Sequence, residues 1–178
     1  MICHRGMGLS FDPTLVESYH SAPQRIRVMS EYTVAKHIPC PLCGNVLATF
    51  TNNFKGSDLF CNRCDACFQL KCFKKKIKKR IPGGEYQTTL GLFSKNTQPH
   101  LLLLSYDPMT LAVLHVYFIN RRFITKDAII PRKPLRPGAR RAGWQGCYWL
   151  TSAFFEKAEV IFDASSESTF GTRKAAKK

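Results

Sequence analysis

Cys40-Pro41-Leu42-Cys43 and Cys61-Asn62-Arg63-Cys64 are two CxxC pairs with 17 residues between them. That separation falls inside the roughly 15–20-residue spacing of two-pair zinc sites. Each pair places two thiolates on one small ion, and two pairs complete a tetrahedral shell with no open position. Such a site is structural rather than catalytic. Gly44 follows the first pair, where a knuckle turn needs a residue free to adopt positive φ. Redox or buried thiols are the competing reading of the same residues. Cys67 and His37 also stand close enough in sequence to replace one of the four ligands.

The second pair lies inside a stretch with a different chemistry. Phe68-Gln69-Leu70-Lys71-Cys72 alternates apolar and polar. On a strand this puts Phe68, Leu70 and Cys72 on one face and Gln69 and Lys71 on the other. Asp58, upstream of the second cysteine pair, can meet Gln69 and Lys71 from a neighbouring strand. A carboxylate, a second oxygen ligand and a lysine can hold Mg2+ on a phosphate and ready a water for attack. Without the zinc frame the same triple reads as a solvated strand face.

The charge balance points to an acidic polymer. Twenty-seven Lys+Arg against 12 Asp+Glu give +15, with a pI near 9.7, which makes nucleic acid the first candidate partner. Lys74 and Lys75 open a run of six cations in the seven residues to Arg80. Such runs are commonly solvated, but this one directly follows the Gln69–Lys71 strand and suits phosphate contact. Arg132, Lys133, Arg136, Arg140 and Arg141 form a second cationic patch, which ends on Trp144 between Gly143 and Gln145-Gly146. Glycines give a core tryptophan little to pack on, so Trp144 reads as a contact residue beside the alternative of a partly buried structural one.

Residues 131–147, Pro-Arg-Lys-Pro-Leu-Arg-Pro-Gly-Ala-Arg-Arg-Ala-Gly-Trp-Gln-Gly-Cys, resemble the signature segment of the DpnI family of methyl-directed restriction endonucleases. The likeness runs back through both CxxC pairs, Asp58 and Leu70-Lys71 to Leu15-Val16-Glu17-Ser18-Tyr19. The resemblance implies an α/β fold of the restriction-endonuclease type, PD-(D/E)xK: a mixed sheet flanked by helices, with a four-cysteine zinc knuckle inserted at 40–64. It implies structural zinc on Cys40, Cys43, Cys61 and Cys64, catalytic magnesium on Asp58 and Gln69, and Lys71 as the third catalytic group. The implied substrate is double-stranded DNA carrying N6-methyladenine, with methylated GATC as the family's target. Trp144 would touch the methyl groups, while Arg132, Arg140, Arg141, Lys74 and Lys75 would hold DNA. One position departs: the family has Glu where this chain has Gln69, which removes a negative charge from the metal site. A methyladenine-DNA binder that no longer cuts, or a zinc-ribbon nucleic-acid module, are the alternatives.

The elements that must position these groups follow from local pattern. A helix is predicted from Ser21-Ala22-Pro23-Gln24 to about Lys36, with Ser21 and Gln24 as a capping box. A short strand is expected at Asn45–Phe50, a turn around Asn52-Asn53 and Lys55-Gly56, and a hairpin at 57–73. Pro82-Gly83-Gly84 reads as a turn and Glu85–Lys95 as a helix. Leu101–Tyr106 and Leu111–Phe118 form a central strand pair, in which His115 is a packed or edge residue. A short helix is expected at Phe123–Ile130, and late strands at Cys147–Leu150 and Glu159–Phe162 flank a helical turn. Residues 1–13 read as irregular. Residues 1–164 form one nuclease unit and 165–178 a disordered basic tail. The winged-helix unit that follows the nuclease domain in that family is not expected in this sequence. The N-terminus lacks a secretory signal and no apolar run spans a bilayer. With eight cysteines, this suggests a reducing, cytoplasmic location, in a bacterium or phage-encoded, and a monomer.

Overall fold

The computed structural model describes residues 8–50 and 56–165. The chain builds α1 (Ala22–His37), β1 (Ala48–Thr49), β2 (Leu59–Phe60), β3 (Cys67–Lys74), β4 (Arg80–Glu85), α2 (Tyr86–Ser94), β5 (His100–Tyr106), β6 (Val113–Ile119), β7 (Ile129–Pro131), β8 (Gly146–Leu150) and β9 (Glu159–Asp163). Six strands form a mixed sheet in the order β1-β2-β3-β5-β6-β9, and β4-β8-β7 form a second, antiparallel sheet. Among the described residues only β3 and β5 pair in parallel. This is the α/β mixed sheet flanked by helices that the family resemblance implies. Among the described residues no helix is long and apolar enough to cross a membrane.

β5 explains the layering. All seven of its residues are buried, as expected of a central strand covered on both faces. Leu102 and Leu104 pack with Phe68, Leu70, Val116 and Phe118 on one face, where Met29 and Val34 of α1 close the core. Leu101 and Leu103 face the other way, onto Ile81, Ile129 and Trp149 of the small sheet. The alternation read from Phe68, Leu70 and Cys72 is therefore correct. Their face lies toward α1, and Phe73, two residues on from Lys71, lies toward the small sheet.

Several local expectations are corrected. Ser21 occupies the N-cap of α1 but makes no side-chain capping bond, so the capping box is absent and the start relies on Pro23 in the first turn. Residues 8–12 are irregular as expected apart from an isolated bridge from Ser10 to Ala112, beside which Phe11 N–H donates to Leu111 O at 2.9 Å. Of the expected strand Asn45–Phe50, only Ala48–Thr49 pairs. Pro82-Gly83-Gly84 is not a turn but part of β4. A Cβ at Gly83 would overlap the Cys147 Sγ and the Trp149 indole, so glycine permits close approach of β4 to β8. Pro82 is tolerated because β4 is an edge strand. The expected helix at Phe123–Ile130 is instead two short 3-10 turns, Arg121–Phe123 and Lys126–Ala128, leading into β7. β-branched Ile124, Thr125, Ile129 and Ile130 favour extended backbone there. The turn expected at Asn52-Asn53 and Lys55, and nearly all of the expected tail, lie outside the described residues. His115 is a packed histidine rather than an edge one: β6 lies between β5 and β9, and its Nδ1 is 3.1 Å from Ser105 Oγ and its Nε2 3.6 Å from Asp163.

His100 opens β5 between the rings of Phe68 and Phe118, at 5.4 and 5.6 Å, and its Nδ1 accepts the Arg121 N–H at 3.2 Å. Burial, helped by Arg121, lowers its pKa from 6.5 to about 4. The unfolded chain therefore takes up this proton first, and stability falls as pH drops from about 6.5 to about 4. The loss should approach roughly 2–3 kcal/mol. His100→Asn, which keeps an acceptor for Arg121, should flatten the slope of stability against pH in urea denaturation. An unchanged slope would mean that the ring titrates normally.

Candidate active-site cleft and metal knuckle

The two CxxC turns fold in the same way. Gly44 N–H donates to Cys40 O at 2.8 Å and Cys40 N–H to Asn45 O at 2.7 Å. In the second turn Asp65 N–H donates to Cys61 O and Cys61 N–H to Ala66 O, both at 3.0 Å. Gly44 and Asp65 occupy the same position, with φ of 76° and 54°. The four sulfurs converge within 4.8 Å of one another. Cys40 and Cys64 are 3.7 Å apart, and Cys43 and Cys61 3.4 Å. Four thiolates about 2.3 Å from a tetrahedral zinc lie roughly 3.8 Å apart, so the quartet fits that ion. Burial works against the Cys61 thiolate, but hydrogen bonds from the Arg63 and Cys64 amides and from the Cys43 and Cys64 thiols together bring its pKa down to about 6. Cys67 is outside the quartet, its thiol directed to Asp65 O, and His37 is not part of it either.

The second knuckle is the turn between β2 and β3. The register Leu59↔Phe68 and Phe60↔Cys67, extended by one step, sets Asp58 across from Gln69. Asp58 N–H donates to Phe68 O at 2.8 Å. β2 then ends, and the outer edge of β3 loses its strand partner. The Asp58 carboxylate takes over there, accepting the Leu70 N–H at 2.8 Å. An open cleft of about 1420 Å³ runs along this edge, and Asp58, Gln69 and Lys71 all line it. Gln69 Oε1 is shielded from water and has no hydrogen-bond partner. An unsatisfied buried oxygen costs about 1–3 kcal/mol, and a cation at this point would relieve it. Burial lowers the pKa of the Lys71 ammonium, and Asp58 pulls it back up. A carboxylate and an amide oxygen are the hard donors that Mg2+ takes.

The cleft walls carry groups that the sequence pattern does not flag. Glu31 and Arg27 of α1 line one side. Nothing in the pattern of α1 marks its single acid; only folding brings α1 against β3. Lys74, Lys78, Arg80 and Tyr148 line it as well. Lys75 does not line it: its φ is 63° and its N–H donates to Tyr106 O at 2.8 Å. Arg132 stacks on Tyr148, its guanidinium 5.0 Å from the ring centre, and with Arg80 and Lys133 forms a smaller basic pocket around the same tyrosine. The cleft is thus continuous, through Arg80 and Tyr148, with one end of the basic loop.

That loop is an extended hairpin. Arg132 N–H donates to Gly146 O at 2.9 Å, and Leu135 N–H to Trp144 O at 3.0 Å. Arg140 and Arg141 are exposed near its tip. Trp144 is half-buried, with the Arg141 guanidinium 4.5 Å from its ring. Its other support corrects the sequence argument. A Cβ at Gly146 would lie 2.7 Å from the indole, so the glycine provides the seat on which the ring packs.

Purified chain should contain one zinc per molecule by elemental analysis. Cys64→Ser should lose the metal and lower Tm by at least roughly 10 °C. A metal-free chain with undiminished Tm would show that the knuckle closes without zinc.

The model of the family described as DpnI: Dam-replacing family matches residues 7–173, nearly the whole chain. That family supports a methylation-dependent, restriction-like function on DNA. With zinc-type ligands, mixed sheet and family match all in one chain, the protein belongs to the DpnI, or Dam-replacing, family.

Proposed function

We propose that this chain is a divalent-metal-dependent endonuclease that cuts double-stranded DNA carrying N6-methyladenine, with methylated GATC as its target. The observation that carries the reading is that Asp58, Gln69 and Lys71 all line the cleft along the open edge of β3, with Asp58 bound to the Leu70 amide, in a family of methylation-dependent, restriction-like function. Residues 1–164 act as one nuclease unit with the zinc turns inside it. Asp58 and the unpartnered Gln69 Oε1 would hold the cation, with the Leu70 amide fixing the carboxylate. When bound, Mg2+ polarises the phosphodiester and offsets the charge that develops on it. Lys71 holds the attacking water by hydrogen bond. Lys74, Lys78 and Arg80 receive the phosphates on either side of the scissile one, and Arg132, Arg140 and Arg141 extend the cationic track. Binding should therefore weaken steeply with salt. Trp144 offers one indole face to the adenine methyl group, an apolar contact of the kind that reads a methyl in the major groove.

The neutral Gln69 favours one second reading, a methylated-DNA binder that does not cut. Plasmid with and without adenine methylation, incubated with Mg2+ or Mn2+ while binding is measured in parallel, separates the two. The nuclease reading expects cleavage of methylated plasmid only, none with Asp58→Ala, and equal or faster cleavage with Gln69→Glu. Selective binding without cleavage would favour the second reading, and full activity of Asp58→Ala would dismiss the site. Trp144→Ala should reduce the preference for methylated over unmethylated duplex by about tenfold, near 1.4 kcal/mol. An unaltered preference would place methyl recognition elsewhere.

A further inference from the structure

Among Asp58, Gln69 and Lys71, only Asp58 brings negative charge, yet a second carboxylate faces the same cleft. Glu31 lines it from α1 beside the open edge of β3. Its side chain is 15% exposed, against 52% for its i−4 neighbour Arg27, so this is not an ordinary solvated helix pair. The Arg27 Nε donates to Glu31 Oε1 at 2.6 Å. Burial raises the Glu31 pKa, Arg27 holds it down, and Asp58 adds a further upward push. Arg27 in turn feels Asp58. The three charges are thus within electrostatic reach of one another. Arg27 offsets part of the cost of shielding Glu31 from water beside a second carboxylate, and a cation shared with Asp58 would offset more.

We propose that Glu31 supplies the second negative charge of a divalent-cation site shared with Asp58 and the Gln69 amide oxygen. The proposal rests on the nuclease-site reading above and deepens it. Glu31 restores from a helix the charge that β3 lacks at position 69. Two carboxylates and one neutral oxygen match what Mg2+ takes from a protein while it keeps several waters. α1 can carry the group because Met29, Ser30, Thr33 and Val34 are buried, which fixes the helix against the core. Arg27 is the counter-ion that an incoming cation must displace or tolerate.

The test is calorimetric titration of Mn2+ into the full, zinc-loaded chain without DNA, with Tm and zinc content as controls on folding. Glu31→Gln should weaken Mn2+ binding by roughly tenfold or more, and adding Gln69→Glu to that variant should restore it. Arg27→Met should tighten binding, because it removes a competing cation. Unchanged affinity in Glu31→Gln, where Asp58→Asn abolishes binding, would overturn this inference and leave the nuclease site standing. If Asp58→Asn also binds Mn2+ normally, the nuclease-site reading fails and this one fails with it. Should Glu31→Gln not fold, Glu31→Asp and Arg27→Met decide: retained binding with the first and tighter binding with the second support the proposal, and weaker or equal binding with Arg27→Met overturns it.

Discussion

One hydrogen bond sets the geometry of the cleft: the Leu70 amide donates to the Asp58 carboxylate at 2.8 Å. β2 pairs with β3 through only two residues, so the sheet runs out of backbone partners where Gln69 and Lys71 emerge. A side-chain carboxylate continues the ladder and is thereby pinned to the strand edge. A hydrogen bond to a charged group contributes about 1.5–3 kcal/mol, too little to hold a hairpin of this size alone. The Cys61–Cys64 turn lies between the two strands and shares its sulfur cluster with Cys40 and Cys43. Structural zinc sites contribute on the order of 10 kcal/mol to folding. Zinc held on these four sulfurs would therefore decide where the hairpin closes, while the hydrogen bond decides where the carboxylate points.

The second constraint is the close approach of β4 and β8. Gly83 has no Cβ, so β4 can lie against Cys147 and Trp149. The register Pro82↔Tyr148 follows, and it sets Arg80 and Tyr148 on the wall facing β3. A buried packing requirement on one side of the small sheet thereby fixes the cationic wall on the other. The run of charge at 74–80 is then divided by geometry rather than composition, since Lys74, Lys78 and Arg80 line the cleft and Lys75 does not. With a net charge of +15, placement decides which cations matter.

Much of this is legible in the residues, for identifiable reasons. Zinc ligation needs fixed spacing, so Cys40, Cys43, Cys61 and Cys64 stand out without a structure. Strand alternation is local, so the opposite faces of Leu70 and Lys71 can be read directly. Local pattern misleads where long-range packing overrides local preference. Pro82-Gly83-Gly84 has turn composition but is a strand because its glycine fits against Cys147. The helix expected at Phe123–Ile130 fails for the opposite reason, because the β-branching of Ile129 and Ile130 already suits the pairing of β7 with β8. Trp144 looks unsupported between glycines, whereas Gly146 is its seat. Glu31 is illegible because its partners across the cleft are more than 25 residues away along the chain, and no local pattern encodes them.

Hydrogen exchange at the Leu70 amide, followed by NMR in the zinc-loaded chain and after zinc removal, bears most directly on the coupling between the metal knuckle and the cleft. The amide should be protected with zinc bound and exchange freely once zinc is removed, while Leu102 and Leu103 of the buried central strand remain protected. Rapid exchange of Leu70 in the zinc-loaded chain, or protection indifferent to zinc, would contradict a clamp that positions Asp58.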